Sequence, residues 1–157
     1  MANRRKEIRE LIVKTLLNQT IAEEKVFNFR IRPIQKENLF PCINVCNKEE
    51  KIEEVSSGQE LFKRELDLSI RLCSFHFDDN NENIIDDMCS QVEKAMSGIK
   101  SDDFEFKLNN TEFFYDGLLT KMIIVCILNY TCTYYTKEVP EIKMDDLKSI
   151  GVQFKNG

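Results

Sequence analysis

Tryptophan is absent, histidine occurs once, and the 157 residues hold only five glycines and three prolines. Each scarcity excludes something. A single imidazole, His76, rules out every mechanism that needs two histidines. Its other possible partner, Cys73, sits three residues away in a β-prone segment, where the two side chains point to opposite faces. His76 therefore reads as a strand-end residue. So few glycines leave no G-x-G-x-x-G or G-x-x-x-x-G-K phosphate loop and no G-x-S-x-G nucleophile elbow. With little Gly or Pro the chain is neither a linker nor disordered.

Long apolar runs are missing too. The longest, Met122 to Leu128, covers seven residues, whereas a membrane span needs about twenty. The N-terminal segment reads as an amphipathic helix rather than a signal peptide. Excess positive charge is also lacking: the formal net charge is −5, the wrong sign for a protein that neutralises phosphates. Its one basic cluster, Arg4, Arg5, Lys6 and Arg9, reads as the solvated side of a first helix. Neither a membrane nor nucleic acid is an expected partner.

What is present fits one domain with a sizeable core: 42% hydrophobic and 31% charged residues. Six cysteines (Cys42, Cys46, Cys73, Cys89, Cys126 and Cys132) fall mostly inside apolar segments, where free Cys behaves as a small hydrophobe. Cys42-x3-Cys46 and Cys126-x5-Cys132 lack zinc-knuckle spacing. Asp78-Asp79-Asn80-Asn81-Glu82 opens like a calcium loop but lacks its later Gly and Glu. The sequence thus predicts reduced thiols in a cytoplasmic chain, with no metal and no cofactor. Paired carboxylates such as Asp86-Asp87 and Asp102-Asp103 are adjacent and diverge in space, so no catalytic constellation emerges and the chain is read as a non-enzyme.

Periodicity organises the rest. Ile8, Leu11, Ile12 and Leu16 make one apolar stripe over 4–18, capped by Asn3. Two short strands follow, 26–31 and 40–46, with Pro41 tolerated only at the start of the second. The stretch 47–60 is charged and then Ser/Gly-rich, and reads as a mobile loop or hairpin tip. Strict alternation sets Leu66, Leu68, Ile70 and Leu72 on one face of a strand and Glu65, Asp67, Ser69 and Arg71 on the other. Asp79 and Glu82 have capping-box spacing ahead of a helix carrying Ile84, Ile85, Met88, Val92, Ala95, Met96 and Ile99. Gly98 closes it. Phe104 to Leu108 alternates, Asn109-Asn110 reads as a turn before 112–115, and Thr120 to Tyr135 reads as the central strand.

The predicted order is α-β-β-β-α-β-β: an α+β domain over 1–140 with a polar tail, 141–157. Its mostly antiparallel sheet carries two helices on one face. The other face, with Asp67, Ser69 and Arg71, is left exposed or covered by a neighbouring subunit. Lys48, Glu49, Glu50, Lys51, Glu53 and Glu54 form a charged arm suited to reaching such a neighbour. Replacing 47–60 by a short turn is then expected to weaken association without unfolding the chain.

From Arg4 to about Thr136 these segments resemble the phage tail terminator family, the minor tail protein U type of long-tailed phages. The resemblance lies in the basic first helix, Val26-Phe27, Arg32-Pro33, Phe40-Pro41-Cys42-Ile43-Asn44-Val45 and Ser57-Gly58 before Arg64-Glu65-Leu66-Asp67-Leu68-Ser69-Ile70. It continues in Val92-Glu93-Lys94-Ala95-Met96 and Leu128-Asn129-Tyr130-Thr131-Cys132-Thr133-Tyr134. The tail, 137–157, is longer than the family pattern. The resemblance implies a non-enzymatic virion protein, assembled in the bacterial cytoplasm as a ring, usually a hexamer. Such a ring caps the tail tube, ends its polymerisation and meets the head–tail connector protein. The alternatives are another neck component, such as a head–tail joining or tail completion protein, or an unrelated cytoplasmic α+β binding module.

Overall fold

The computed structural model describes residues 3–31, 39–56, 60–76, 81–118 and 121–137. The proposed cap Asp79, the Ser57-Gly58 pair and the tail 141–157 lie outside them. Two helices, α1 (Arg4–Leu16) and α2 (Asn81–Ser97), accompany five strands: β1 (Val26–Asn28), β2 (Cys42–Ser56), β3 (Leu61–His76), β4 (Glu105–Leu118) and β5 (Lys121–Thr136). The element order and the α+β class are those predicted. In the sheet the order is β1-β2-β3-β5-β4. Only β1 and β2 run parallel; the other pairs are antiparallel. The long strand near the C-terminus is therefore interior, but the sheet's centre is β3.

Asn3 caps α1, its side chain accepting from the Lys6 amide at 3.1 Å. Ile8, Ile12 and Leu16 then bury fully, each contributing about 1.5–3 kcal/mol. Ile85, Met88, Val92 and Met96 do the same for α2. The α2 stripe packs on the sheet face formed by Leu66, Leu68, Ile70 and Leu72 of β3 and Ile124, Cys126, Leu128, Tyr130 and Cys132 of β5, while α1 lies against β1, β2 and α2, so that both stripes share one core. These two strands stay in register along their length (Leu66 opposite Cys132, Leu72 opposite Cys126), so one alternation serves both. No described helix is long and apolar enough to cross a membrane.

Two readings of the sequence are corrected. The charged stretch is no loop in its first ten residues: 47–56 continue β2, paired with β3 from Glu49↔Asp67 to Ser56↔Leu61. Asn109-Asn110 is not a turn either. It is a bulge within one continuous β4, where the register with β5 shifts between Leu108 and Asn110. In both cases polar composition signalled loop, while cross-strand partners on β3 and β5 impose strand.

Candidate functional site

Helices cover one face of the sheet; among the described residues no helix or strand lies on the other. This second face carries the odd-numbered side chains of β3 and β5, and it divides into two halves.

The first half is polar. Thr131 on β5 donates to Asp67 Oδ1 at 2.7 Å, and its own oxygen accepts from Asn109 of β4 at 2.6 Å. Asn129 donates to Glu112 Oε2 at 2.8 Å, and Lys48 Nζ lies 3.4 Å from Asn129 Oδ1. Lys48 reaches it because it is the extra residue of a bulge between Asn47 and Glu49. Ser69, expected on an open surface, is in fact buried at 1% exposure, with its hydroxyl unpartnered. Arg71 is exposed.

The second half is apolar. Cys73 and Phe75 of β3, and Ile123, Val125 and Ile127 of β5, are all half-buried. Phe114 of β4, opposite Val125, is 52% exposed. Phe40 stacks on Phe75 with ring centroids 5.6 Å apart. Sequence reading missed this strip. The signal was available in Ile123, Val125 and Ile127, which alternate with the core residues Ile124, Cys126 and Leu128 in an unbroken apolar run. Such a run marks a strand with apolar side chains on both faces.

The charged set is not brought together as an arm. Lys51 pairs across to Glu65 and Glu53 to Lys63, Glu54 stands opposite Phe62, and Glu49 faces Asp67. Glu50 does something else: it turns to the helix side. Its Oε1 accepts from Arg64 Nη1 at 2.7 Å and from Arg5 at 3.0 and 3.2 Å, and its Oε2 from the Tyr134 hydroxyl at 2.6 Å. The Arg64 and Glu50 side chains are only 2% and 9% exposed. Burial alone would raise the Glu50 carboxyl, but the hydrogen bonds from Arg5, Tyr134 and Arg64 outweigh it and hold it below the ordinary carboxylate range. Burial and the bond to Glu50 push the Tyr134 phenol up, so it stays a donor. Arg64 Nε donates to Thr136 at 2.9 Å, while its Nη2 is buried without a partner.

The basic cluster of α1 is likewise engaged. Besides Arg5, Arg4 lies over the Phe104 ring at 5.1 Å, and Arg9 donates to Asn28 and covers Phe29. These side chains tie α1 to the sheet instead of forming a free basic face.

Among the described residues both ends of the sheet present backbone edges. β4 is terminal in the strand order, and β1 pairs with β2 only as far as Val45. Beyond that point β2 has no outer partner among the described residues. The described residues contain no group of three or more His, Cys, Asp or Glu arranged to hold a metal. A shallow groove of about 250 Å³ between α1 and α2 is lined by Leu11, Thr15, Gln19, Ala95, Gly98, Ile99 and Lys100. No acid–base pair converges on it. No protein-family model and no curated protein matches the chain.

Proposed function

We propose that this chain is a structural subunit that closes into a ring on the end of a phage tail tube, stops tube growth and offers its other surface to the head–tail connector. One observation carries the reading: the sheet has a face with no described helix or strand on it, half polar network and half apolar strip. A strip of Cys73, Phe75, Phe114, Ile123, Val125 and Ile127 is what a second copy of the chain would cover. Burying apolar surface supplies the free energy, and the neighbouring polar network of Asp67, Thr131, Asn129 and Glu112 fixes orientation. Two strand edges at opposite ends of the sheet, without a further strand partner among the described residues, support head-to-tail contact. Such heterologous contacts either close into a ring or run on as a filament. The long β2–β3 hairpin, with its charged outer edge, reaches the neighbour as a rigid extension of the sheet.

The same face would serve another neck protein of the virion, or a binding module with a different partner. Light scattering across a concentration series, with and without tube subunits, separates these readings. The expected result is a ring near the hexamer mass, favoured at high concentration or on tube ends. A strict monomer under both conditions would reject the proposal.

A further inference from the structure

Cys89 of α2 and Cys126 of β5 meet across the helix–sheet interface with their sulfurs 3.0 Å apart. A disulfide bond is about 2.05 Å long, so closing this pair takes a movement of about 1 Å. We propose that Cys89 and Cys126 are a dithiol modification site, closing to a disulfide on reaction with a low-molecular-weight disulfide and locking α2 to the sheet.

The two thiols are unequal in the way such exchange needs. Cys89 is half-buried and reachable, whereas Cys126 has no exposed surface. The hydrogen bond from Cys126 holds the Cys89 thiol below its ordinary value, against burial and the nearby carboxylates Asp86 and Glu93. The same bond, together with burial, pushes Cys126 up. Cys89 therefore ionises first and attacks first.

In the first step the Cys89 thiolate attacks one sulfur of the small disulfide. That S–S bond breaks and one small thiolate leaves with the electron pair. Cys126 then gives up its proton and attacks the Cys89 sulfur of the mixed disulfide, expelling the second small thiol. The two cysteines lose two hydrogens together, and the small disulfide is reduced to two thiols. Because the two sulfurs already lie 3.0 Å apart, this second attack is internal. All six thiols are free in the structure.

A second pair supplies an internal comparison: Cys42 and Cys73 are register partners on β2 and β3. The test incubates the native chain with excess oxidised glutathione at about pH 8, blocks remaining thiols by alkylation and maps peptides without reduction. The expected product links Cys89 to Cys126 and reverts with dithiothreitol. Its closed loop should raise the melting temperature by roughly 5–10 °C. Cys89→Ser, with a folded circular dichroism spectrum, should lose both the link and the rise. A parallel digest of the untouched wild type keeps the test valid if that variant misfolds. Alkylation of both cysteines in the oxidised native sample would overturn the proposal. So would a stable glutathione adduct on Cys89, or a link confined to Cys42 and Cys73.

Discussion

Glu50→Ala should lower stability by about 3–5 kcal/mol, because it strands a buried guanidinium. Arg64 is 1% exposed, already has one unpartnered nitrogen, and in this variant loses the one carboxylate it pairs with among the described residues. Arg5 loses the same acceptor at less cost, its side chain being 46% exposed. Arg5→Ala should therefore cost no more than about 1 kcal/mol. For a domain of this size the Glu50→Ala loss corresponds to a melting temperature lower by roughly 6–20 °C. Tyr134→Phe removes a donor and leaves the ion pair, so it should fall between the two.

The double variant Glu50→Leu with Arg64→Met should recover most of the loss, since replacing both members of a buried pair by apolar groups is often near neutral. The pH dependence follows from the depressed Glu50 carboxyl. A depressed acid stabilises the fold above its unfolded value, about 4.3, and that contribution is lost as pH falls through the lower folded value. Acid titration of wild type and Glu50→Ala should thus converge at low pH and separate above about pH 4. Denaturant melts at several pH values measure it. A Glu50→Ala cost under about 1 kcal/mol would mean that Glu50 is solvated after all.

This network explains why the sequence misled over 47–56 and not over β3 or the helices. The β3 strand was legible because Leu66, Leu68, Ile70 and Leu72 alternate with polar residues, a signal contained in nine consecutive positions from Glu65 to Cys73. The two helices were legible for the same reason, with stripes at helical spacing. By contrast, 47–56 contains just two β-branched residues, Ile52 and Val55, among its charges. What makes it a strand is pairing with β3 and the fit of Glu50 to Arg64 and Tyr134, which lie 14 and 84 residues away in sequence. No local pattern announces such partners. Replacing 47–60 by a short turn, expected from composition to spare the fold, is now expected to unfold it. That replacement deletes Glu50 and much of the β2 ladder.

The bulge at Asn109 has the same origin. An Asn-Asn pair is ordinary turn chemistry, yet here Asn109 donates to Thr131 and β4 runs on. The sheet's second face was half legible. Its polar half was read from Asp67, Ser69 and Arg71, although Ser69 is buried. Its apolar half was hidden inside the continuous run of β5, where core and surface residues look alike in sequence.

Val125→Lys should leave the chain folded and abolish the proposed ring assembly. Val125 is half-buried on the second face, opposite Cys73 of β3 and Phe114 of β4. Ile123 and Ile127 lie two positions away on the same face. In the isolated chain a lysine stem can lie along this strip with its ammonium in water, so the folding cost should stay within about 1 kcal/mol. Between two subunits the ammonium must be desolvated along the apolar strip, because the β4 carboxylates Glu112 and Asp116 stand opposite Ile127 and Ile123 rather than opposite position 125. That costs several kcal/mol at each contact, enough to weaken association more than about 100-fold. Phe114→Ser removes apolar area instead of adding charge and should weaken assembly less. Lys107→Ala, on the polar half of β4, is the control for a change outside the strip. Sedimentation velocity with tube subunits, beside circular dichroism melts, reads both quantities for each variant. A folded Val125→Lys chain that assembles like the wild type would place the subunit contact away from this strip, on the strand edges or the helices.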